Sequence, residues 1–192
     1  MKIIRTLFDA KIAPLVEKKV VLAIGVFDGV HSGHRFLLKQ TMNFAEKMKA
    51  VAVVYTFWPH PSHFYAKDQK KMITDNGQKF EILATLGLPY AVEQCFDGKF
   101  AAVSYENFIE FLKKKFRFLA GICVGSDFRF GHKREGNVFF LQKLCETANV
   151  ALLVVDEFCI DGERVSSSKI RALLDEHNFT VANRLLGSKI FR

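Results

Sequence analysis

Two histidines three residues apart, His31 and His34, stand in the run Gly25-Val26-Phe27-Asp28-Gly29-Val30-His31-Ser32-Gly33-His34. Glycines let a backbone turn sharply and approach a ligand, and a helix starting at Gly33 or His34 turns unpaired amides toward an anion. Histidines at this spacing share one side of the first turn and can donate together to phosphate oxygens. The run has the outline of a phosphate site. A zinc pair would need further ligands, and no Cys or Glu in the run supplies them. Two histidines with a purely structural role are the other reading.

Three more segments combine residue types that do chemistry. In Thr56-Phe57-Trp58-Pro59-His60-Pro61 the prolines stiffen a loop and hold His60 beside aromatic surface suited to a flat ring, although a plain surface histidine fits as well. Val124-Gly125-Ser126-Asp127-Phe128-Arg129-Phe130-Gly131-His132-Lys133 brings an acid, two aromatics and several cations together. That set can stack a planar ring and hold phosphate, or form a turn with scattered surface charge. In Val165-Ser166-Ser167-Ser168-Lys169-Ile170-Arg171, serines precede a helix start and Arg171 falls on its first turn, which serves equally as an ordinary cap or as a second anion cradle.

The elements that must position these groups alternate. Short β-branched runs predict strands at Val20 to Gly25, Val51 to Phe57, Ala91 to Phe96, Ala120 to Gly125 and Ala151 to Val155. Between the first two, Leu37, Thr41, Phe44 and Met48 recur at helical spacing from about His34. Ser104, Asn137 and Asn178 are expected N-caps, and Gly187 an expected left-handed helix end. Strand and helix in alternation predict an α/β fold, a mostly parallel sheet with helices on both faces. The irregular stretches Pro59 to Gly77, Ser126 to Gly136 and Glu157 to Ser167 each follow a strand, and open α/β sheets bind ligands at strand carboxyl ends.

Composition bounds the rest. The 192 residues are 49% hydrophobic and 25% charged, the balance of one ordinary globular domain, here taken as residues 1–192. Val20 to Phe27 falls far short of the roughly 20 residues of a membrane span, and no secretory signal is evident near Met1. A cytoplasmic protein with no membrane partner is expected. Cys95, Cys123, Cys145 and Cys159, far apart and in mostly apolar company, read as buried reduced thiols. The excess of 28 basic over 20 acidic residues, +8, favours an anionic partner. The run Lys113-Lys114-Lys115-Phe116-Arg117 reads as a solvated helix end. Nucleic acid is not expected, because an RNA-binding sheet interleaves exposed aromatics with basic residues, whereas most of the 20 Phe fall at core spacing.

From about Val20 to Gly187 the chain carries, in order, Gly25-x-Phe27-Asp28-Gly29-Val30-His31-x-Gly33-His34, Pro59-His60-Pro61, Gly125-x-Asp127-Phe128-x-Phe130-Gly131 and Ser166-Ser167-x-x-Ile170-Arg171. It resembles the adenylyltransferase domain of bacterial bifunctional riboflavin kinase/FAD synthetase, within the His-x-Gly-His nucleotidyltransferase superfamily. The resemblance implies a Rossmann-like nucleotidyltransferase fold and the reaction of FMN with ATP and Mg2+ to give FAD and pyrophosphate. It implies catalytic roles for His31, His34 and Arg171. It places ATP at Gly25, Phe27, Asp28, Gly29, Gly33, Ser166 and Ser167, and the flavin near His60, Pro61, Asp127 and Phe128, with no protein metal ligand assigned. Trp58 stands where the family usually has an acid and offers another ring to stack on, and Ser168 replaces a threonine. After Leu185-Leu186-Gly187 the family continues into a riboflavin kinase domain, whereas this sequence stops at Arg192. The expectation is therefore the adenylyl-transferring half, with FMN from a separate riboflavin kinase. A nucleotidyltransferase of the superfamily with another phosphate acceptor, or a non-catalytic flavin or nucleotide sensor, are the alternatives.

Overall fold

The five β-branched runs form strands, and a sixth joins them. The computed structural model describes residues 1–7, 12, 15, 17–64 and 71–189. Its main sheet contains β1 (Lys2–Thr6), β2 (Lys19–Ile24), β3 (Val51–Trp58), β4 (Tyr90–Cys95) and β5 (Phe118–Gly125). After a small ladder of β6 (Arg129–Phe130) and β7 (Gly136–Asn137) comes β8 (Ala151–Val155), followed by a ladder of β9 (Cys159–Ile160) and β10 (Glu163–Arg164). The sheet runs in the order β1-β4-β3-β2-β5-β8 with every pairing parallel. Strand β1 was not expected: it is an edge strand, mostly exposed, and shows little apolar alternation.

Alternate side chains of β2 feed two cores. Val20, Leu22 and Ile24 face α5 (Phe108–Lys115) and α6 (Val138–Ala148), packing with Ile109, Leu112 and Leu141. Val21 and Ala23 face α1 (Ser32–Lys47) and α3 (Asn76–Ala84), packing with Leu38, Ala45 and Leu83. Helices thus cover both faces of the sheet. Gly121 on β5 lets α1 sit close, since a Cβ there would lie 3.0 Å from Phe44 Cε1. The single-turn helices α2 (Pro61–Phe64) and α4 (Gly98–Ala101) follow β3 and β4. A third core of Ile73, Val165, Ile170, Leu185 and Leu186 ties α7 (Ser167–Asp175) and α8 (Phe179–Leu186) to the segment before α3.

From β2 the chain builds outward through β3 and β4 on one side, then returns to lay β5 and β8 on the other. The switch point is between β2 and β5, where α/β sheets open a crevice at their carboxyl ends. The loops from Gly25 and Gly125 both emerge there.

Asn137 and Asn178 cap α6 and α8 as expected, and Gly187 ends α8 at φ 66°. Ser104 does not start a helix: α5 begins at Phe108, and its N-cap Asn107 makes no side-chain cap bond. The basic run is not wholly solvated either. Lys115 is 3% exposed, and its Nζ donates to Leu7 O at 2.8 Å, fastening the end of β1 to α5. The cysteines are free, but only Cys123 and Cys145 are buried, with thiols pushed up by burial to about 11 and about 12; Cys159 is exposed on its two-residue strand. Residues 65–70, inside the expected irregular stretch Pro59 to Gly77, lie outside the described residues. Among the described residues no helix is long and apolar enough to cross a membrane.

Candidate active site

The loop after β2 is built from the inside. Gly25 lies under the ring of Phe27, where a Cβ would meet Phe27 Cζ at 3.0 Å. Phe27 takes the left-handed conformation at φ 56° and is 1% exposed. Asp28, also buried, accepts from Ile73 N at 3.0 Å and Thr74 N at 3.3 Å. Gly29, at φ 75°, donates its amide to Thr74 Oγ1 at 3.2 Å and has no room for a side chain, because a Cβ would sit 2.8 Å from Ile73 Cγ2. Phe27 and Asp28, read from sequence as ATP contacts, therefore turn their side chains into the protein. They shape the loop from within, and its backbone is itself bonded inward, Gly25 N donating to Tyr55 O at 3.1 Å and Val26 O accepting from Thr56 Oγ1 at 2.9 Å.

His31 is the N-cap of α1, one position earlier than a first-turn residue: its Nδ1 accepts from His34 N at 3.3 Å. An accepting Nδ1 carries no proton, so the neutral ring bears its hydrogen on Nε2. The two imidazoles stack at 3.6 Å and 16°, and Phe27 meets His34 edge-on at 5.2 Å. Burial pushes His31 down to about 4; Asp28 and Asp127 oppose this, and Arg171 and Arg164 reinforce it. Burial, then the charge of His31, pushes His34 well below its ordinary value. Both rings are neutral at pH 7. Nδ1 of His34 is buried without a hydrogen-bond partner among the described residues. Since the side chain of His31 takes the third amide of α1, the amides of Ser32 and Gly33 are the orphan donors at this helix start.

The start of α7 is stitched to the same loop. Ser166 caps it, accepting from Lys169 N at 3.2 Å, and Ser167 Oγ donates to Asp28 O at 3.2 Å. Arg171, one turn in, donates from Nη2 to Asp28 Oδ2 at 2.6 Å and from Nε to Lys71 O at 2.9 Å. The first and fourth sequence motifs thus form one assembly, with a largely buried carboxylate and guanidinium at its hinge. Removing one member of such a pair typically costs about 3–5 kcal/mol.

The other two motifs flank this assembly on opposite sides of β2. Past β5, Phe128 stacks on Phe130 at 5.6 Å and 12°, and Asp127 pairs with Arg164, which also reaches Glu157 at 2.6 Å. Past β3, His60 Nδ1 accepts from Ser62 N at 3.0 Å, and His60 and Trp58 border a pocket with Val26 and Thr74. His60 and Pro61 thus follow β3, and Asp127 and Phe128 follow β5, the two strands that flank β2. Sequence reasoning missed Asn76 and Lys79, which line the same pocket. Lys79 is 4% exposed, and burial lowers its pKa against the opposing charges of Glu93 and Asp28. No motif marked it among 28 basic residues.

A parallel sheet with a His-x-Gly-His helix start and a Ser-Ser helix start joined at its switch point defines a Rossmann-like α/β fold of the nucleotidyltransferase class. The profile of the FAD synthetase family matches residues 14–169, and the chain belongs to this family. It is 37% identical over 188 residues to the bifunctional riboflavin kinase/FMN adenylyltransferase of Escherichia coli (strain K12), covering 97% of this chain and 59% of that protein. It is 31% identical over 174 residues to the FAD synthetase of Listeria monocytogenes serovar 1/2a, covering 88% and 69%. The chain thus spans about six tenths of the length of the Escherichia coli relative. The crystal structure of a macrolide-efflux protein from Streptococcus pneumoniae shares the fold, with a TM-score of 0.80 at 22% identity over 96% of this chain and 60% of that one.

Proposed function

We propose that this chain, as a single FMN adenylyltransferase domain, transfers AMP from ATP to FMN, giving FAD and pyrophosphate. An oxygen of the FMN phosphate attacks the α-phosphorus of ATP, and the bond from that phosphorus to the bridging oxygen breaks, releasing pyrophosphate. The FMN phosphate, with its second pKa near 6, is already ionised at neutral pH, so no protein base is required. The task left to the protein is to hold two polyanions in line and to stabilise charge on the leaving group.

The observation that carries this reading is the joining of the α1 and α7 helix starts through Ser167, Asp28 and Arg171. In it, the amides of Ser32 and Gly33 and the Ser166-Ser167 turn hold the ATP phosphates, while Gly25 and Gly29, whose amides are bonded to Tyr55 O and Thr74 Oγ1, give the loop beside them its shape. Nε2–H of His31, the buried His34 and Arg171 attend the charge that develops on pyrophosphate. His60 and Pro61 on one side, and Asp127 and Phe128 on the other, border the flavin. Among the described residues no group of three or more His, Cys, Asp or Glu converges as a metal cage. Mg2+ would be carried by the triphosphate and would neutralise phosphate charge there. FMN comes from a riboflavin kinase, an activity named in the bifunctional relatives, and the reaction is assigned to the cytoplasm.

Incubation with Mg-ATP and FMN, followed by chromatography, should yield FAD and pyrophosphate. If FMN is unchanged while another phosphate acceptor is turned over, the acceptor is wrong and the fold-level chemistry right. Tight binding of FAD or ATP without turnover would make the chain a sensor.

A further inference from the structure

Strand β4 carries a buried carboxylate. Glu93 is 4% exposed, and parallel pairing sets it between Arg5 on β1 and Thr56 on β3. A carboxylate at this depth costs desolvation free energy unless its oxygens are bonded, and both are. Oε2 accepts from Arg5 Nε at 2.9 Å, and Oε1 accepts from Asn76 Nδ2 at 2.7 Å. Asn76 is the first residue of α3. Three residues on, Lys79 Nζ donates to Thr56 Oγ1 at 3.4 Å, and Glu93 supplies the larger of the two charges that offset the burial of this ammonium. The start of α3 is thus fastened to the sheet through Glu93.

The segment 71–74, which leads into α3, carries both contacts that fix Arg171. Lys71 O accepts from Arg171 Nε at 2.9 Å. The Asp28 carboxylate, which takes Arg171 Nη2 at 2.6 Å, is itself held by Ile73 N at 3.0 Å and Thr74 N at 3.3 Å. Ile73 packs in one core with Ile170, the neighbour of Arg171 in the chain. Apolar packing is non-directional, so it keeps the segment near α7 without setting where one carbonyl and two amides point. Asn76, two residues beyond Thr74 and bonded to Glu93, supplies that direction.

We propose that Glu93 is a positioning residue for the phosphate assembly: by anchoring Asn76 it orients the segment 71–74, and through that segment it holds the Arg171 guanidinium where ATP phosphate binds. This rests on ATP binding at the starts of α1 and α7. It gives a part in that site to β4, which none of the four sequence motifs includes.

The sign of the effect separates positioning from a field effect. Glu93→Gln removes a negative charge and keeps the shape, so the field alone would tighten the binding of an anion, whereas a lost anchor weakens it. Mg-ATP binding to the full chain is measured by calorimetry, without FMN. Glu93→Gln should weaken it roughly three- to tenfold, and Asn76→Ala, which cuts the same link with no change of charge, about as much. Arg171→Ala should weaken binding by itself, and in that background Glu93→Gln should add nothing, because no guanidinium is left to place. In turnover the KM for ATP should rise in Glu93→Gln while the KM for FMN stays unchanged. Unchanged or tighter ATP binding in Glu93→Gln overturns the proposal, and so does an equal loss with and without Arg171, which is what a merely structural Glu93 would give. Should Glu93→Gln fail to fold, Asn76→Ala, alone and combined with Arg171→Ala, decides by the same criteria. Should the chain lacking Arg171 fail to fold, the sign in the single variants and the KM split decide. FAD made by a Glu93→Gln chain whose ATP binding is unchanged sinks the anchor and leaves the adenylyl-transfer reading standing. Coupled losses of ATP binding in a chain that makes no FAD keep the anchor and sink the reaction.

Discussion

The buried histidine pair sets a pH dependence whose size follows from the structure. His31 titrates near 6.5 in an unfolded chain and near 4 in the folded one. Between these values the unfolded state binds a proton that the folded state refuses, so folding weakens as pH falls through this window. Stability from His31 is complete above about 6.5 and is lost on the way to 4, to the extent of roughly 3 kcal/mol. In melting temperature that is about 6–12 °C for a chain of this length. Acidification also protonates carboxylates, and the perturbation must separate the two. His31→Asn does so, because asparagine is a favoured N-cap that can accept from His34 N without titrating. Urea denaturation of wild type and variant, followed by circular dichroism from pH 7.5 to 4, should show the wild type losing about 3 kcal/mol more than the variant. Parallel stability curves would refute the neutral, buried His31. The same reasoning applies to turnover: any acid limb near pH 6 belongs to the FMN phosphate rather than to either imidazole.

Replacing His34 by Ala should lower kcat by roughly 10²–10³-fold with little change in the KM for FMN, since it removes a group acting on transition-state charge; a folded, fully active variant would take His34 out of the reaction. Arg171→Ala strands the Asp28 carboxylate, which should cost about 3–5 kcal/mol in urea denaturation and raise the KM for ATP. An unchanged melting temperature would show that the pair is not structural. Gly29→Ala, forced to φ 75° with Ile73 in the way, should destabilise by about 1–3 kcal/mol, and an equally stable variant would mean that the loop relaxes.

What the sequence made legible was local. The His31–His34 spacing, the caps Asn137 and Asn178 and the Gly187 stop all depend on residues within one turn of each other. The role of His31 as the cap itself was missed because helix starts are fixed by φ and ψ, and a histidine at the N-cap has no compositional signal. Asp28 and Arg171 stand 143 residues apart, and nothing in either motif announces that each completes the other. Likewise, His60 and Asp127, grouped around one ligand from sequence, follow β3 and β5, the two neighbours of β2, and that strand order follows from chain crossovers rather than from periodicity. Asn76 and Lys79 lie on an ordinary amphipathic helix, where one more polar residue looks like solvent-facing surface until burial shows otherwise.

The charge state of this site bears on the proposed reaction. In the proposed reaction two polyanions would meet here, and a bare cluster of cations would bind ATP, FMN and pyrophosphate alike, deepening the ground state and slowing product release without lowering the barrier. The protein holds its cations in check: Arg171 is balanced by Asp28, Arg164 by Asp127 and Glu157, and Lys169 by Glu163. The histidines nearest the helix start are neutral donors, not cations. A neutral N–H in a buried site gains most where charge increases during the reaction, as it does on the departing pyrophosphate, and gains less from charge already present on the substrates. In the proposed reaction, burial of His31 and His34 and the pairing of Arg171 with Asp28 would thus act in one direction, toward preferential stabilisation of the transition state over either bound substrate.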